Sequence, residues 1–196
     1  MRDSFMQKKN PYIFYFIDKY NIDELTNLEK NIDLIFRNYS KRLKIDEIKS
    51  IQKFCKINKR NLYLSNNIKL ALKLGLSGVY IPSFNNSINF ASKHSLPNKF
   101  EIIGSAHNVN EIKVKKLQKC SKIFLSPIFK SKKKHKFLST IKFNLTTISE
   151  NVDFIALGGI NKNNYKKLRL TKVVGFAGIS WIKKNGLREL RPFLKI

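Results

Sequence analysis

Eight short runs of β-branched and aromatic residues, separated by stretches with helical spacing, constrain the fold of this 196-residue chain more than any other feature. Parallel strands that alternate with helices make α/β folds, and eight such units close into a barrel. The sequence therefore predicts a single-domain (β/α)8 barrel over residues 1–196. The runs that predict its strands lie at Ile13–Ile17, Leu34–Phe36, Leu62–Leu64, Val79–Ile81, Ile102–Gly104, Ile123–Leu125, Phe154–Leu157 and Val173–Ala177.

The composition suits one folded domain of this kind. Hydrophobic residues make up 42% of the chain, and no apolar run approaches the ~20 residues that cross a bilayer. The N-terminal segment MRDSFMQKKNP lacks the apolar core of a signal peptide, so we expect a cytoplasmic protein without a membrane partner. The two cysteines, Cys55 and Cys120, are far apart and predict neither a metal site nor a disulfide framework.

The charge balance is strongly basic. The chain carries 39 Lys and Arg against 13 Asp and Glu, a formal net charge of +26. Such a field attracts nucleic acid, anionic lipid or phosphorylated metabolites. The lysines are scattered along the chain among many Asn and Ile, and no zinc knuckle, RNA-binding aromatic strand or helix-turn-helix pattern accompanies them. We therefore expect small phosphorylated metabolites as partners, and no specific nucleic acid.

Two strand-to-turn transitions near the end of the chain predict a phosphate site. Gly158 and Gly159 follow the seventh run, and Gly178 and Ser180 follow the eighth. Small residues there leave backbone N–H groups open to an anion, although a tight turn alone would also explain glycine. The loops after strands seven and eight of such barrels commonly hold a substrate phosphate.

The other strand ends supply further candidates. Polar or cationic residues follow most runs, and Arg37, Ser65, Asn66, Asn85, Ser105 and His107 are among them. After the sixth run comes the segment SPIFKSKKKHK, which is rich in lysine between residues 130 and 136. That segment either folds over a diphosphate or forms a solvated charge patch, and the sequence leaves both interpretations open.

The order of five motifs resembles the thiamine phosphate synthase family and its thiazole tautomerase relatives. The motifs are LYLSNNIKLALKLGLSGVYIPS, IIGSAH, FLSPIF, FIALGGI and VVGFAGIS, and FLSPIF followed by ALGGI is the most specific part. The resemblance implies a (β/α)8 barrel that joins a pyrimidine diphosphate to a thiazole phosphate with Mg²⁺ on the diphosphate. It therefore implies a transferase of thiamine biosynthesis.

The resemblance also implies roles for individual residues. Arg37, Ser131 and Lys134 would hold the diphosphate and Ser105 would help to position it. Ser65 and Asn66 would contact substrate, and the thiazole phosphate would be held by Gly158, Gly159, Gly178 and Ser180. Asn66 and Asn85 stand where the family has acidic metal ligands. Tyr39 replaces an expected lysine, and Lys133 replaces a threonine.

The two amide replacements leave the reaction open. Mg²⁺ prefers carboxylate and phosphate oxygens, so metal binding by the protein should be weak. Either the diphosphate carries its own Mg²⁺ while lysines stabilise the leaving group, or the coupling is lost. Two alternatives follow: a thiazole tautomerase with His107 as general base, and a non-catalytic barrel that binds thiamine precursors. The oligomeric state is not predicted.

Overall fold

The computed structural model describes residues 11–29, 31–39, 44–90, 96–131, 136–178 and 180–183. Eight parallel strands pair in sequence order and close into a barrel. All eight predicted strands are present, which confirms the prediction of a (β/α)8 barrel. The prediction that this domain covers residues 1–196 includes residues outside the described ranges. The strands are β1 (Tyr12–Ile17), β2 (Ile32–Phe36), β3 (Leu62–Ser65), β4 (Gly78–Ile81), β5 (Glu101–Ala106), β6 (Lys122–Leu125), β7 (Asp153–Leu157) and β8 (Gly175–Gly178).

Helices cover the outside of the barrel. Several begin at asparagine, because the Asn side-chain oxygen accepts a hydrogen bond from a free N–H of the first turn. Asn67 accepts from Leu70 at 3.0 Å, and Asn108 accepts from Glu111 at 2.9 Å. None of the described helices is long and apolar enough to span a bilayer. The helices are α1 (Ile22–Thr26), α2 (Ile45–Ile57), α3 (Ile68–Lys73), α4 (Val109–Leu117), α5 (Ser139–Thr147) and α6 (Ser180–Lys183), with 3₁₀ turns at Ile88–Phe90 and Tyr165–Leu170.

Glycine permits the barrel to close between its first and last strands. The backbone N–H of Tyr12 donates to the Val174 carbonyl at 3.1 Å, and Tyr12 pairs with Gly175 in the register of β1 and β8. A Cβ atom at Gly175 would lie 2.1 Å from the Tyr12 carbonyl oxygen. That approach leaves no room for a side chain at residue 175. The pairing of β8 with β1 begins at this residue, so β8 starts two residues later than the apolar run predicts.

Aromatic rings fill the barrel interior. Phe124 packs edge-on against Phe14 with ring centroids 4.9 Å apart and against Tyr80 at 5.6 Å. Phe16 contacts Tyr80 at 5.3 Å, also edge to face. Edge-to-face contacts add to the hydrophobic burial of these rings, so the interior is a packed core rather than a channel.

A polar cluster closes the amino end of the barrel. Glu101 forms an ion pair with Lys122 and accepts a hydrogen bond from the Tyr63 hydroxyl at 2.6 Å. The Lys122 ammonium also lies 4.6 Å from the centre of the Tyr12 ring. These contacts pair the charged groups at the amino end of the barrel, which in this fold ordinarily contributes to stability. Ligand binding is expected at the opposite, carboxyl end.

The two cysteines lie outside the barrel interior. Both are buried free thiols. Cys55 lies within α2, and Cys120 follows the end of α4. Burial raises the pKa of each thiol to about 12, which keeps both in the unreactive protonated form.

Candidate active site

A cationic cluster lies at the carboxyl-end opening of the barrel. Arg37 follows β2, Tyr80 lies in β4 and Ser105 lies in β5, and the Tyr80 hydroxyl lies near enough to both of the others for them to act on its pKa. Burial raises the pKa of the Tyr80 hydroxyl to about 12, although Ser105 and the charge of Arg37 act to lower it. We call these three residues the Arg37 cluster. It unites two residues that the sequence predicts for diphosphate binding with a tyrosine that the sequence analysis missed.

The position of Arg37 is fixed from two sides. Its backbone N–H donates to the Ile17 carbonyl at 2.8 Å, and its guanidinium lies 4.7 Å from the centre of the Phe16 ring. A guanidinium stacked over an aromatic face keeps its charge and its planar donors. Arg37 also lines a cavity of about 170 Å³ between the ends of β1 and β2. A pre-positioned planar cation of this kind suits a phosphate or diphosphate ligand.

Aromatic side chains form one wall of the opening. The Tyr39 hydroxyl lies 3.3 Å from the Ser65 hydroxyl, and the Tyr39 ring packs edge-on against Phe84 at 5.8 Å. Tyr39 and Phe84 are exposed. The residue in place of the expected lysine therefore supplies a ring surface and a hydroxyl instead of a charge.

Asn66 and Asn85 lie together, as the resemblance implies. Asn66 follows β3, Asn85 follows β4, and the Asn85 Nδ2 group donates to Asn66 Oδ1 at 2.7 Å. Asn66 has a φ of +58°, a left-handed conformation that Asn adopts more readily than most residues. We call these two side chains the amide pair.

Two buried polar side chains hold the loop that carries Asn85. Lys115 of α4 donates to the carbonyl oxygens of Pro82 and Asn85, both at 2.8 Å. Gln118 donates to the carbonyl oxygens of Asn85 at 2.9 Å and Ser87 at 3.0 Å. Both side chains are fully buried. Buried polar groups pair with one another in this way because an unpaired one is costly.

The glycines after β7 are required by close backbone contact. Gly158 and Gly159 have φ values of +90° and +73°. A Cβ atom at Gly159 would lie 2.2 Å from the Phe129 carbonyl oxygen, in the loop after β6. This packing accounts for glycine at 159 without any ligand.

The two glycine-bearing strand ends lie side by side. Leu157 and Ala177 are paired in the register of β7 and β8, so Gly158 and Gly178, which follow them, end neighbouring strands. The backbone of Ser180 begins α6, and its side chain is outside the described part. Their use by a phosphate remains a prediction.

His107 lies at the same end of the barrel. Its Nδ1 atom is 2.7 Å from the Ser126 carbonyl oxygen. Because a carbonyl only accepts hydrogen bonds, Nδ1 carries a proton, and in the neutral tautomer with this arrangement the lone pair lies on Nε2. His107 is exposed and lines a cavity of about 300 Å³ together with Lys136 and Lys142.

The lysine-rich segment is described only in part. Lys134, predicted to hold the diphosphate, lies outside the described residues, as does Lys133. Ser131 is described and half-buried in the loop after β6. Whether the segment covers a ligand stays a prediction.

The donor set around the amide pair does not fit Mg²⁺. Neutral amides replace both carboxylates, and the Lys115 ammonium lies 2.8 Å from the Asn85 carbonyl oxygen. Across the described ranges, no group of three or more His, Cys, Asp or Glu is arranged to hold a metal ion. A divalent ion with high charge density favours anionic oxygen ligands, and these residues supply none.

The fold and the position of these residues define a (β/α)8-barrel protein with a cationic, hydrogen-bond-donating site at the carboxyl ends of its strands. The sequence model of the family described as "Thiamine monophosphate synthase" matches residues 28–182, well over half of the chain. The chain therefore belongs to the thiamine monophosphate synthase family, which confirms the resemblance.

Similar proteins agree with this family. A thiamine-phosphate synthase of Prochlorococcus marinus is 33% identical over 131 residues, which are 64% of this chain and 36% of that protein. The chain thus matches about a third of the length of this relative. The thiamine phosphate pyrophosphorylase structure from Pyrococcus furiosus covers 95% of this chain and 96% of its own, with a TM-score of 0.72 and 17% identity. The corresponding structure from Bacteroides thetaiotaomicron covers 92% and 98%, with a TM-score of 0.60 and 18% identity. At these identities the two structures show the fold alone.

Proposed function

We propose that this chain couples 4-amino-2-methyl-5-(diphosphomethyl)pyrimidine to 4-methyl-5-(2-phosphoethyl)thiazole and releases diphosphate. The observation that carries the proposal is the Arg37 cluster, which presents a fixed cation and hydroxyl groups at the carboxyl-end opening. Membership of a family of thiamine biosynthesis transferases supports it. The adjacent ends of β7 and β8 offer a second anion position for the thiazole phosphate.

In the proposed reaction the bond between the pyrimidine methylene carbon and the diphosphate oxygen breaks, and its electron pair leaves with the diphosphate. The electron-rich aminopyrimidine stabilises the resulting carbocation. The thiazole nitrogen then donates its lone pair to the methylene carbon, which forms the new bond. No protein nucleophile is needed and no proton is transferred, so the protein contributes position and charge.

Three groups have defined tasks in this scheme. Arg37 neutralises the growing charge on the departing diphosphate, and the hydroxyl of Ser105 donates to its oxygens. Tyr80 is a positioning residue, because its neutral hydroxyl lies beside both Arg37 and Ser105. Lys134 and Ser131 would add donors from the loop after β6. Any Mg²⁺ in the reaction would arrive on the diphosphate.

The coupling assay tests this proposal directly. Purified protein is incubated with both substrates, with and without Mg²⁺, and thiamine phosphate is quantified against a blank without protein. We expect product with the wild-type chain and a strong loss with Arg37→Met. Product no higher than the blank under both conditions would contradict the coupling.

One observation favours a second candidate, a thiazole tautomerase. The contact between His107 Nδ1 and the Ser126 carbonyl leaves Nε2 as a proton acceptor beside a cavity with two lysines. In this alternative His107 removes a proton from the thiazole ring and the lysines bind its phosphate. His107→Gln should then abolish isomerisation of the thiazole phosphate, and unchanged turnover would remove the candidate.

The amide pair favours a third candidate, a barrel that binds thiamine precursors without reaction. Calorimetry with each substrate separates this case from the others. A binder would hold one or both ligands and form no product when both are present.

A further inference from the structure

The hydrogen bonds of the amide pair fix which atoms face each other. The backbone N–H of Ser87 donates to Asn85 Oδ1 at 3.0 Å. The opposite atom of the Asn85 amide is therefore Nδ2, and it donates to Asn66 at 2.7 Å. The receiving atom must be Asn66 Oδ1, because an amide nitrogen accepts no hydrogen bond. The backbone thus sets the orientation of both side chains.

This orientation leaves more donors than acceptors for a ligand. Each of the two amide oxygens already uses one of its two lone pairs to accept a hydrogen bond within the loop or the pair. Each amide nitrogen carries two hydrogens, and the pair itself uses only one of the four. Both side chains are half-buried at the ends of β3 and β4, where a ligand at the opening can reach them. The pair is therefore built to donate to an anion.

The charged groups around the amide pair also favour an anion over a cation. Lys115, fully buried beneath the loop, places an ammonium group 2.8 Å from the Asn85 carbonyl oxygen. Arg37 supplies a second cation at the same end of the barrel, near the Tyr80 hydroxyl. The Tyr80 carbonyl in turn accepts the backbone N–H of Asn66 at 2.8 Å, which ties the pair to the Arg37 cluster. A cation introduced between these groups would meet repulsion, whereas a phosphoryl oxygen would meet donors.

We propose that the amide pair binds the substrate diphosphate directly through its N–H groups, so that this chain holds diphosphate without a bridging Mg²⁺. The inference rests on the proposed function, since it assigns the pair to the same diphosphate. It also explains why neutral amides are compatible with the site: a carboxylate needs a metal ion to face a phosphate, and an amide does not.

Calorimetry with inorganic diphosphate tests the binding. We expect the wild-type chain to bind it in EDTA at least as tightly as in Mg²⁺. The double variant Asn66→Asp with Asn85→Asp should lose about tenfold or more in EDTA, because carboxylates repel phosphate. Added Mg²⁺ should restore much of that loss. Asn110→Asp, which adds a charge to an exposed position in the first turn of α4, is the matched control and should leave binding within about twofold.

A second readout needs no diphosphate. In the double variant two carboxylate groups would face each other where the amide atoms are 2.7 Å apart. They should bind a cation. Mg²⁺ should therefore raise the melting temperature of the double variant by roughly several degrees, and that of the wild type by less than about 1 °C. The single variant Asn85→Asp keeps the acceptor for the Ser87 N–H. If the double variant does not fold, the single variant replaces it in both measurements.

Two outcomes would overturn the inference: diphosphate binding by the wild type only when Mg²⁺ is present, or equal binding in EDTA by the wild type and the aspartate variants. These outcomes are separable from failure of the coupling. A chain that forms no thiamine phosphate, yet binds diphosphate in EDTA through the amide pair, contradicts the coupling and supports this inference. A chain that couples the substrates but binds diphosphate only with Mg²⁺ supports the coupling and contradicts this inference.

Discussion

The ammonium group of Lys115 lies 2.8 Å from the carbonyl oxygen of Asn85, inside the protein and beneath the loop that follows β4. It makes two further hydrogen bonds, to the Pro82 carbonyl and to Gln118 Oε1. Burial lowers its pKa below the ordinary value, while Cys120 and Glu111 act in the opposite direction. Through these bonds Lys115 holds a segment of backbone that carries part of the site.

Lys115→Met should destabilise the protein and loosen the loop after β4. The substitution leaves buried acceptors without a donor, so we expect the free energy of unfolding to fall by about 1–3 kcal/mol in urea denaturation. The neighbouring Lys116→Met is the matched control. Lys116 pairs with Glu150 on the surface at 2.7 Å, and its loss should cost about 0–1 kcal/mol. Equal losses in the two variants would contradict a supporting role for Lys115.

Arg37→Lys should impair the reaction although it conserves the charge. Lysine lacks the planar group that lies over Phe16 and beside the Tyr80 hydroxyl. We expect kcat/KM of the coupling to fall by about ten- to hundred-fold, as for the loss of a charge-assisted hydrogen bond. Lys113→Met removes a charge from an exposed position of α4 and should leave kcat/KM unchanged. A fall of similar size in both variants would mean that only the overall field matters.

Gly159→Ala should separate the loops after β6 and β7. Its Cβ atom would lie 2.2 Å from the Phe129 carbonyl oxygen, and the φ of +73° adds strain. We expect a loss of about 2–4 kcal/mol in the free energy of unfolding. Gly75→Ala isolates the strain, because Gly75 has a φ of +60° and no atom within 4 Å of the added carbon. Its cost should be about 1 kcal/mol. If the two variants lose the same free energy of unfolding, the close contact with Phe129 is not what requires glycine at 159.

Glu101→Gln should weaken the amino end of the barrel without changing the site. Burial acts to raise the pKa of Glu101, but hydrogen bonds from Lys122 and Tyr63 outweigh it, so the pKa lies below its ordinary value of 4.5. The stabilisation by this carboxylate is therefore present above pH 4.5 and is lost as the pH falls through the lowered pKa. Since the side chain is 34% exposed, we expect a discounted loss of about 1–2 kcal/mol at pH 7.

The measurement for Glu101 is the free energy of unfolding against pH. The wild-type curve should fall more steeply than the variant curve below pH 4.5, and diphosphate affinity should be the same in both. Parallel curves would show that the ion pair contributes nothing to folding.

Much of the fold is predictable from the sequence because strand and helix periods are local. The β-branched run at Ile13–Ile17 and the run at Phe154–Leu157 each fall within an observed strand. The start of β8 is less predictable, because the contact that sets it joins Gly175 to Tyr12 at the far end of the chain. No pattern near residue 175 records that contact.

The site is only partly predictable for a related reason. Arg37 and Ser105 follow from their positions at strand ends, which a barrel brings together. Tyr80 looks like an ordinary core aromatic, and its role depends on a hydroxyl that meets residues from β2 and β5. Lys115 looks like one solvated lysine among many. Its spacing of three from Gln118 on α4 gives a faint signal, but burial of both becomes visible only in three dimensions.

The packed rings inside the barrel limit how a ligand reaches the site. In the part of the chain that the structure describes, Phe14 and Phe124 pack edge to face in the interior, and the ion pair of Glu101 with Lys122 lies at the amino end. A ligand at the carboxyl ends of the strands therefore has no route through the barrel and exchanges with solvent at that end. Under the proposed coupling, both substrates would arrive and both products leave on one side of the molecule.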